Sequence, residues 1–237
     1  MHHVVLDRWS RGSSFVHARD ARVKIFVAFA YLVALGTTPR ITLAAAACYA
    51  ALVAAAVVAA RLPAAGVAAR AAVVLPFAVP IAAFSILAGE PARAAALAVK
   101  SCLSAAAVVV LAGATPLPKL LRGLESLGVP RFLTLVVQFL YRYLFVISEQ
   151  AQHMRMAVLA RGGGRRKRLP QASGAVSTLF ARSWARAEGI HGAMLARGFH
   201  GRMELLAPAR VQAADFLFLG AGLLLVTALR LATGVSR

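Results

Sequence analysis

Five stretches of this chain carry no charged residue, and they limit its folding more than any other feature. Residues 41–60 form an Ala/Val/Leu run of 20 between Arg40 and Arg61; residues 71–89 give 19, 101–118 give 18, 25–39 give 15 and 216–229 give 14. A hydrocarbon core of about 30 Å is crossed by roughly 17–25 helical residues. The first three runs meet that length directly. The other two meet it once polar-tolerant margins are included, with Lys24 and Arg40 flanking one and Ala213–Asp215 and Arg230–Thr233 flanking the other. The expected spans are therefore about 23–39, 41–60, 68–88, 96–117 and 212–232. One such run could be a buried helix in a soluble core. Five in 237 residues leave too little polar surface to cover them. With 60% of residues apolar, a disordered chain is excluded. The first run is also expected not to be a cleaved leader, because more than 20 residues, Asp7 and Asp20 among them, precede it and no clean small-residue cleavage site follows.

The formal charge of +19 conflicts with this apolar excess until it is located along the chain. Residues 118–210 hold 15 Lys/Arg against 4 acids, and so carry 11 of the 19 net charges. Cytoplasmic loops collect Lys and Arg. Residues 1–24, the Arg61/Arg70 loop and the segment after the fourth span are therefore expected in the cytoplasm, with the fifth span ending outside. Arg230 and Arg237 run against that last placement. Pro76 and Pro80 fall in the third span, where each removes a backbone hydrogen bond and kinks the helix. No ionisable residue is expected deep in a span and no inverted repeat is evident, which argues against an ion path formed by this chain alone. Cys48 and Cys102 lie in apolar runs and offer neither a disulfide framework nor metal-ligand spacing.

The basic segment has helical character of its own. After Pro130, the residues Leu133, Val136, Val137, Leu140, Leu144 and Ile147 recur at three- and four-residue intervals, which marks an apolar helix face. This helix is expected to run to Arg161, where Gly162-Gly163-Gly164 stops it. A second is expected from near Ser173 to Arg197, stopped by Gly198, and a shorter one near Lys119–Leu127. A basic turn, Arg165-Arg166-Lys167-Arg168-Leu169-Pro170, lies between the long helices. Both of them end in the same four residues, Leu159-Ala160-Arg161-Gly162 and Leu195-Ala196-Arg197-Gly198, 36 positions apart. A cation on the last turn with glycine behind it is a common helix ending. Its duplication suggests more. Small alanine and glycine flanks leave a planar guanidinium unobstructed and suited to a carboxylate-bearing groove on another protein.

These residues resemble the transmembrane T component of energy-coupling-factor (ECF) transporters, and most closely its cobalt- and nickel-type branch. Leu6-Asp7-Arg8-Trp9-Ser10, His17 and Asp20-Ala21-Arg22-Val23-Lys24 are similar to that branch's N-terminal region, with Ala21 where the family usually has proline. Gly128-Val129-Pro130-Arg131, Tyr141-Arg142-Tyr143 and Glu149 are similar to the start of its long coupling helix, and Met194-Leu195-Ala196-Arg197-Gly198-Phe199 to its second motif. The resemblance implies an all-α polytopic integral membrane protein of the bacterial inner membrane. Residues 1–117 would hold the N-terminal segment and four spans, 118–210 the cytoplasmic coupling helices, and 211–237 the last span. It implies a non-enzymatic subunit in which Arg161 and Arg197 couple to two cytoplasmic ABC-type ATPases, with Ala160, Gly162, Ala196 and Gly198 shaping their seats. ATP and magnesium would sit on those ATPases, and cobalt or nickel would bind a separate membrane S component held by the apolar faces of the long helices. A vitamin-type T subunit is the alternative within transport, and a membrane-embedded enzyme or assembly factor the alternative outside it.

Other signals carry less. No Gly-x-x-x-x-Gly-Lys-Ser/Thr pattern occurs, and Gly162-Gly163-Gly164-Arg165 follows a helix and lacks the lysine–hydroxyl pair. No catalytic constellation is evident. His2 and His3 beside a free amino terminus form a nickel- or copper-chelating pattern, but no functional metal site is assigned there. His153 and His191 precede the arginine motifs by unequal offsets and read as surface positions. The 165–168 cluster reads as a contact for membrane lipid headgroups and a topology signal, with no nucleic-acid face.

Overall fold

In the computed structural model the described residues are 9–10, 12–38, 42–87, 89–162, 168–201 and 212–235, and all of their regular structure is helical. His2, His3, Leu6-Asp7-Arg8, Arg40, Gly163–Lys167 and Arg237 lie outside them. The chain divides into two compact units, Met1–Gly128 with Ala209–Arg237, and Val129–Pro208.

The first unit contains α1 (Ala21–Thr37), α2 (Leu43–Ala59), α3 (Ala64–Ala71), a 3-10 turn (Ala72–Val74), α4 (Leu75–Leu87), α5 (Pro91–Gly113), α6 (Leu117–Ser126) and α9 (Ala213–Val235); the second contains α7 (Arg131–Ala160) and α8 (Arg168–Ala196). Asp20 starts α1 by accepting from the Arg22 N–H at 2.8 Å, and Thr42 starts α2 by accepting from Ala45 N–H at 3.2 Å. Both satisfy amides that a helix leaves without partners at its first turn. The expected third span is α3, the 3-10 turn and α4 in succession. A proline ring clashes with the carbonyl four residues before it, so the tightened turn at Ala72–Val74 precedes Pro76, while Pro80 is carried inside α4.

Among the described residues, four helical stretches are long and apolar enough to cross a membrane: Ala64–Ser85, Pro91–Gly113, Arg131–Ala160 and Ala213–Ala232. Three of them coincide with the expected spans at 68–88, 96–117 and 212–232. The spans expected at 23–39 and 41–60 coincide with α1 and α2, each 17 residues, or about 25 Å long. Arg131–Ala160 reaches span length and apolarity although the charge pattern assigned it to the cytoplasm. The reason is its asymmetry: Phe132, Leu133, Val136, Val137, Leu140 and Leu144 are exposed apolar residues in its first half, whereas Glu149, His153 and Arg155 follow in the second. The protein is an all-α, multi-pass membrane protein.

Alanine-rich helices bring the spans close together. On α2 the buried residues Ala45, Tyr49, Val53 and Val57 repeat every four positions and form one stripe. Tyr49 is fully buried; Tyr31 stacks edge-on to it at 5.7 Å and donates its hydroxyl to the Tyr49 carbonyl at 3.3 Å. Between apolar helices in lipid, such fitted contacts and hydrogen bonds replace the hydrophobic effect as the cohesive force. A Cβ on Gly222 of α9 would lie 2.9 Å from Val27 Cγ2, so only glycine permits this approach of α9 to α1.

Polar side chains collect at the two ends of this unit. At one end Lys100 and Arg230 donate to the carbonyls of Thr38 and Thr37, where α1 terminates. Arg230 thus has a helix-capping role at the end where the charge bias disfavoured it. Because α5 begins at Pro91, five residues ahead of the expected span, Lys100 is its tenth residue. Although it falls within α5, Lys100 reaches the carbonyl end of α1, so its charge is placed at an end of the unit. At the opposite end, buried Lys24 donates to Ala114 O at 3.1 Å and Thr115 Oγ1 at 3.2 Å. Its ammonium satisfies the end of α5. Trp9 lies under the same end, 4.0 Å from the Arg70 guanidinium, and His17 bridges Trp9 O at 3.0 Å and Ser14 Oγ at 2.7 Å.

Candidate functional site

The duplicated arginine motif lies at the ends of α7 and α8. α7 spans 30 residues and stops at Ala160; α8 spans 29 and stops at Ala196. The expected start of the second helix near Ser173 moves back to Arg168. Pro170 falls in its first turn, where an amide has no helical acceptor and proline is tolerated, so the helix begins ahead of it.

Each motif ends its helix on a glycine with positive φ. Arg161 occupies the C-cap, its N–H bonding Ala157 O at 3.2 Å, and the Gly162 N–H reaches Leu159 O at 3.1 Å. Arg197 occupies the C-cap of α8; Gly198 N–H bonds Leu195 O and Phe199 N–H bonds Met194 O, both at 3.0 Å. The second set is a Schellman ending, with its usual apolar contact supplied by Met194 and Phe199. Gly162 and Gly198 have φ of 74° and 77°, left-handed values that favour glycine. Nothing lies within 4 Å of a Cβ placed on either, so the backbone angle, and not crowding, selects glycine there. Ala160, Arg161, Gly162, Ala196, Arg197 and Gly198 are all exposed. Each arginine therefore projects from a rigid helix end between residues too small to shield it.

α7 and α8 pack through a face that the sequence periodicity did not select. Phe139, Tyr143, Ile147 and Gln150 of α7 meet Ser183, Ala187, Ile190 and Met194 of α8 around a cavity of about 350 Å³, which Phe199 helps to close. Phe139 and Tyr143 stack along α7 with ring centres 6.3 Å apart. Of the predicted apolar face only Ile147 takes part; Leu133, Val136, Val137, Leu140 and Leu144 remain exposed, as do Phe180 and Trp184 on α8. His191 lines the cavity rim, while His153 is exposed on α7.

Three features were not drawn from the sequence. Met194 and Phe199 read as motif flanks, although they lock the Arg197 helix end. Trp9 carried the N-terminal resemblance, but its seat against Gly66 and Arg70 arises only in the folded chain. Asp215 read as a margin of the last span. It is in fact buried, accepts from Asp20 N–H at 3.2 Å and Gln212 N–H at 2.9 Å, and faces Arg19 Nη1 at 3.7 Å. Its one available signal was being the sole acid in residues 211–237.

Parts of the chain are similar in sequence to known proteins. The cobalt transport protein CbiQ of Rhodobacter capsulatus is 35% identical over 147 residues, covering 61% of this chain and 59% of that protein. The uncharacterized protein MJ1089 of Methanocaldococcus jannaschii is 31% identical over 101 residues, 42% of this chain and 38% of that one. The chain thus spans about three-fifths and two-fifths of the lengths of these relatives. Residues 12–206 match the cobalt transport protein family CbiQ, and with both arginine motifs inside that match the chain belongs to this family.

Proposed function

We propose that this chain is the transmembrane coupling subunit, the T component, of an ECF-type importer for cobalt or nickel. The observation that carries the proposal is the repeated helix end: two exposed guanidiniums, each at a C-cap and each followed by a left-handed glycine. An arginine offers a pre-organised planar fork to a carboxylate and loses little further freedom per hydrogen bond on docking. Two such ends match two ATPase subunits. ATP and magnesium are bound by those subunits, and their closure and reopening move the ends of α7 and α8. The exposed apolar first half of α7, with Phe180 and Trp184 on α8, is the surface for the membrane subunit that binds the metal. Cobalt or nickel is cargo, and the chain works without catalysing a reaction.

The test is uptake by the complete transporter carrying Arg161→Glu together with Arg197→Glu. The variant is expected to insert normally and to lose ATPase association or transport. Normal metal uptake by cells bearing it would remove the coupling role.

A further inference from the structure

A second basic site lies in the first unit, where α1, α6 and α9 come together. A cavity of about 190 Å³ is lined by Arg19, Asp20, Arg22, Lys119, Arg122 and Asp215, with Gly123 and Gln212 completing the wall. Four cations meet two acids there, and both acids are already engaged. Asp20 Oδ1 accepts the α1 capping bond from Arg22 N–H, and Asp215 accepts from Asp20 N–H through Oδ1 and Gln212 N–H through Oδ2. The remaining pairings are long: Arg19 Nη1 is 3.7 Å from Asp215 and Arg22 Nε is 4.0 Å from Asp20. Arg19 Nε and Nη1 are shielded from solvent and find no hydrogen-bond acceptor among the described residues. Lys119 and Arg122 are exposed, stand three apart on one face of α6 and make no ion pair among the described residues.

The site therefore holds surplus positive charge in a concave, partly shielded place. The N-terminal ends of α1 and α9 also open near it, adding partial positive charge. Apolar side chains lie beside it: Phe15, 62% exposed, packs on the Phe218 ring with centres 6.4 Å apart, and the Arg19 guanidinium lies 4.3 Å from the centre of the Phe15 ring. A cationic pocket beside exposed apolar side chains, at the end of a membrane-spanning unit, matches a ligand that is anionic at its head and apolar beyond it.

We propose that this pocket binds the phosphate of an anionic phospholipid, with Lys119 and Arg122 as outer contacts, Arg22 and Arg19 behind them, and the acyl chains over Phe15 and Phe218. The proposal depends on the membrane location of the chain and not on its coupling role. Because α6 leans on α1 at Gly123, where an added Cβ would meet Ile25 and Ala21 at 3.0 and 3.3 Å, a lipid held here also fixes the position of α6.

The experiment uses the full chain, delipidated in detergent, with its thermal unfolding midpoint followed on adding phosphatidylglycerol, phosphatidylcholine or inorganic phosphate. Phosphatidylglycerol is expected to raise the midpoint, and the other two to leave it unchanged. In Lys119→Gln with Arg122→Gln the apparent lipid affinity is expected to fall on the order of tenfold for each charged contact removed. Arg155→Gln with Arg182→Gln, exposed positions on α7 and α8, is expected to keep the wild-type response. An equal response in the Lys119/Arg122 variant would overturn the site, and an equal shift with inorganic phosphate would overturn the lipid as its ligand. If that variant does not fold, native mass spectrometry of the wild type decides. Reloaded with an equimolar lipid mixture, it should retain phosphatidylglycerol in preference to phosphatidylcholine, and retention in proportion to the mixture would overturn the proposal.

Discussion

Replacing Arg197 by alanine separates a structural role for this residue from a docking role. The backbone of the helix end is held by the bonds of Gly198 N–H to Leu195 O and Phe199 N–H to Met194 O, neither of which uses the arginine side chain. That side chain is exposed and has no hydrogen bond or ion pair among the described residues. Surface substitutions of this kind change folding stability by about 0.5 kcal/mol or less, and losing a cation at a helix C-terminus adds about 0.3–1 kcal/mol. A charge-assisted contact with a partner carboxylate is worth about 1.5–3 kcal/mol, which corresponds to roughly 10- to 140-fold in affinity. The two roles therefore differ by more than the error of a titration. The assay is binding of the partner ATPase to the chain in nanodiscs, with the thermal midpoint recorded alongside. Arg197→Ala should bind roughly 10- to 140-fold more weakly, with a midpoint lowered by no more than about 6 °C. Arg197→Lys keeps the charge without the fork and should fall between. Binding within about twofold of wild type by a folded Arg197→Ala protein would refute the docking argument. A large drop in the midpoint would show instead that the arginine supports the helix end.

Other consequences follow from the same geometry. Gly198→Ala places a Cβ in a left-handed backbone with open space around it, so it should cost about 1–2 kcal/mol, seen as a lower thermal midpoint, and disturb coupling through the lost cap. Asp215→Ala removes a buried acceptor of two amides and leaves Arg19 facing an empty partner site; a loss of about 3–5 kcal/mol is expected, read by thermal or denaturant unfolding in detergent. Gly222→Ala should lower stability by about 1–3 kcal/mol, because Val27 must move to admit the methyl group; an unchanged midpoint would mean that α9 and α1 are not so closely packed. A topology reporter fused after Lys119 should read cytoplasmic, and a reading on the opposite side would overturn the assigned order of spans.

Sequence alone determined the class of this protein. Charge-free runs of span length have few alternatives to membrane helices, because an unpaired backbone in lipid is too costly and only helices or closed barrels avoid it. Both arginine helix ends were legible for an equally local reason: a left-handed cap selects glycine regardless of what lies across the fold, so Gly162 and Gly198 each stand two positions past the last residue of α7 and α8. Periodicity was weaker guidance to what packs against what. The regular leucine and valine face of α7 stays exposed, while Phe139, Tyr143 and Ile147 face α8. A run apolar on several sides cannot indicate which side meets protein, since lipid and protein reward the same residues. Only tertiary structure decided the roles of the charges at the ends of the spans. Lys24 serves the end of α5, Lys100 and Arg230 serve the end of α1, and Asp215 ties α9 to the segment before α1. Such pairs join residues as far as 195 positions apart. Their meeting depends on helix length, kink and close approach, which no local pattern encodes.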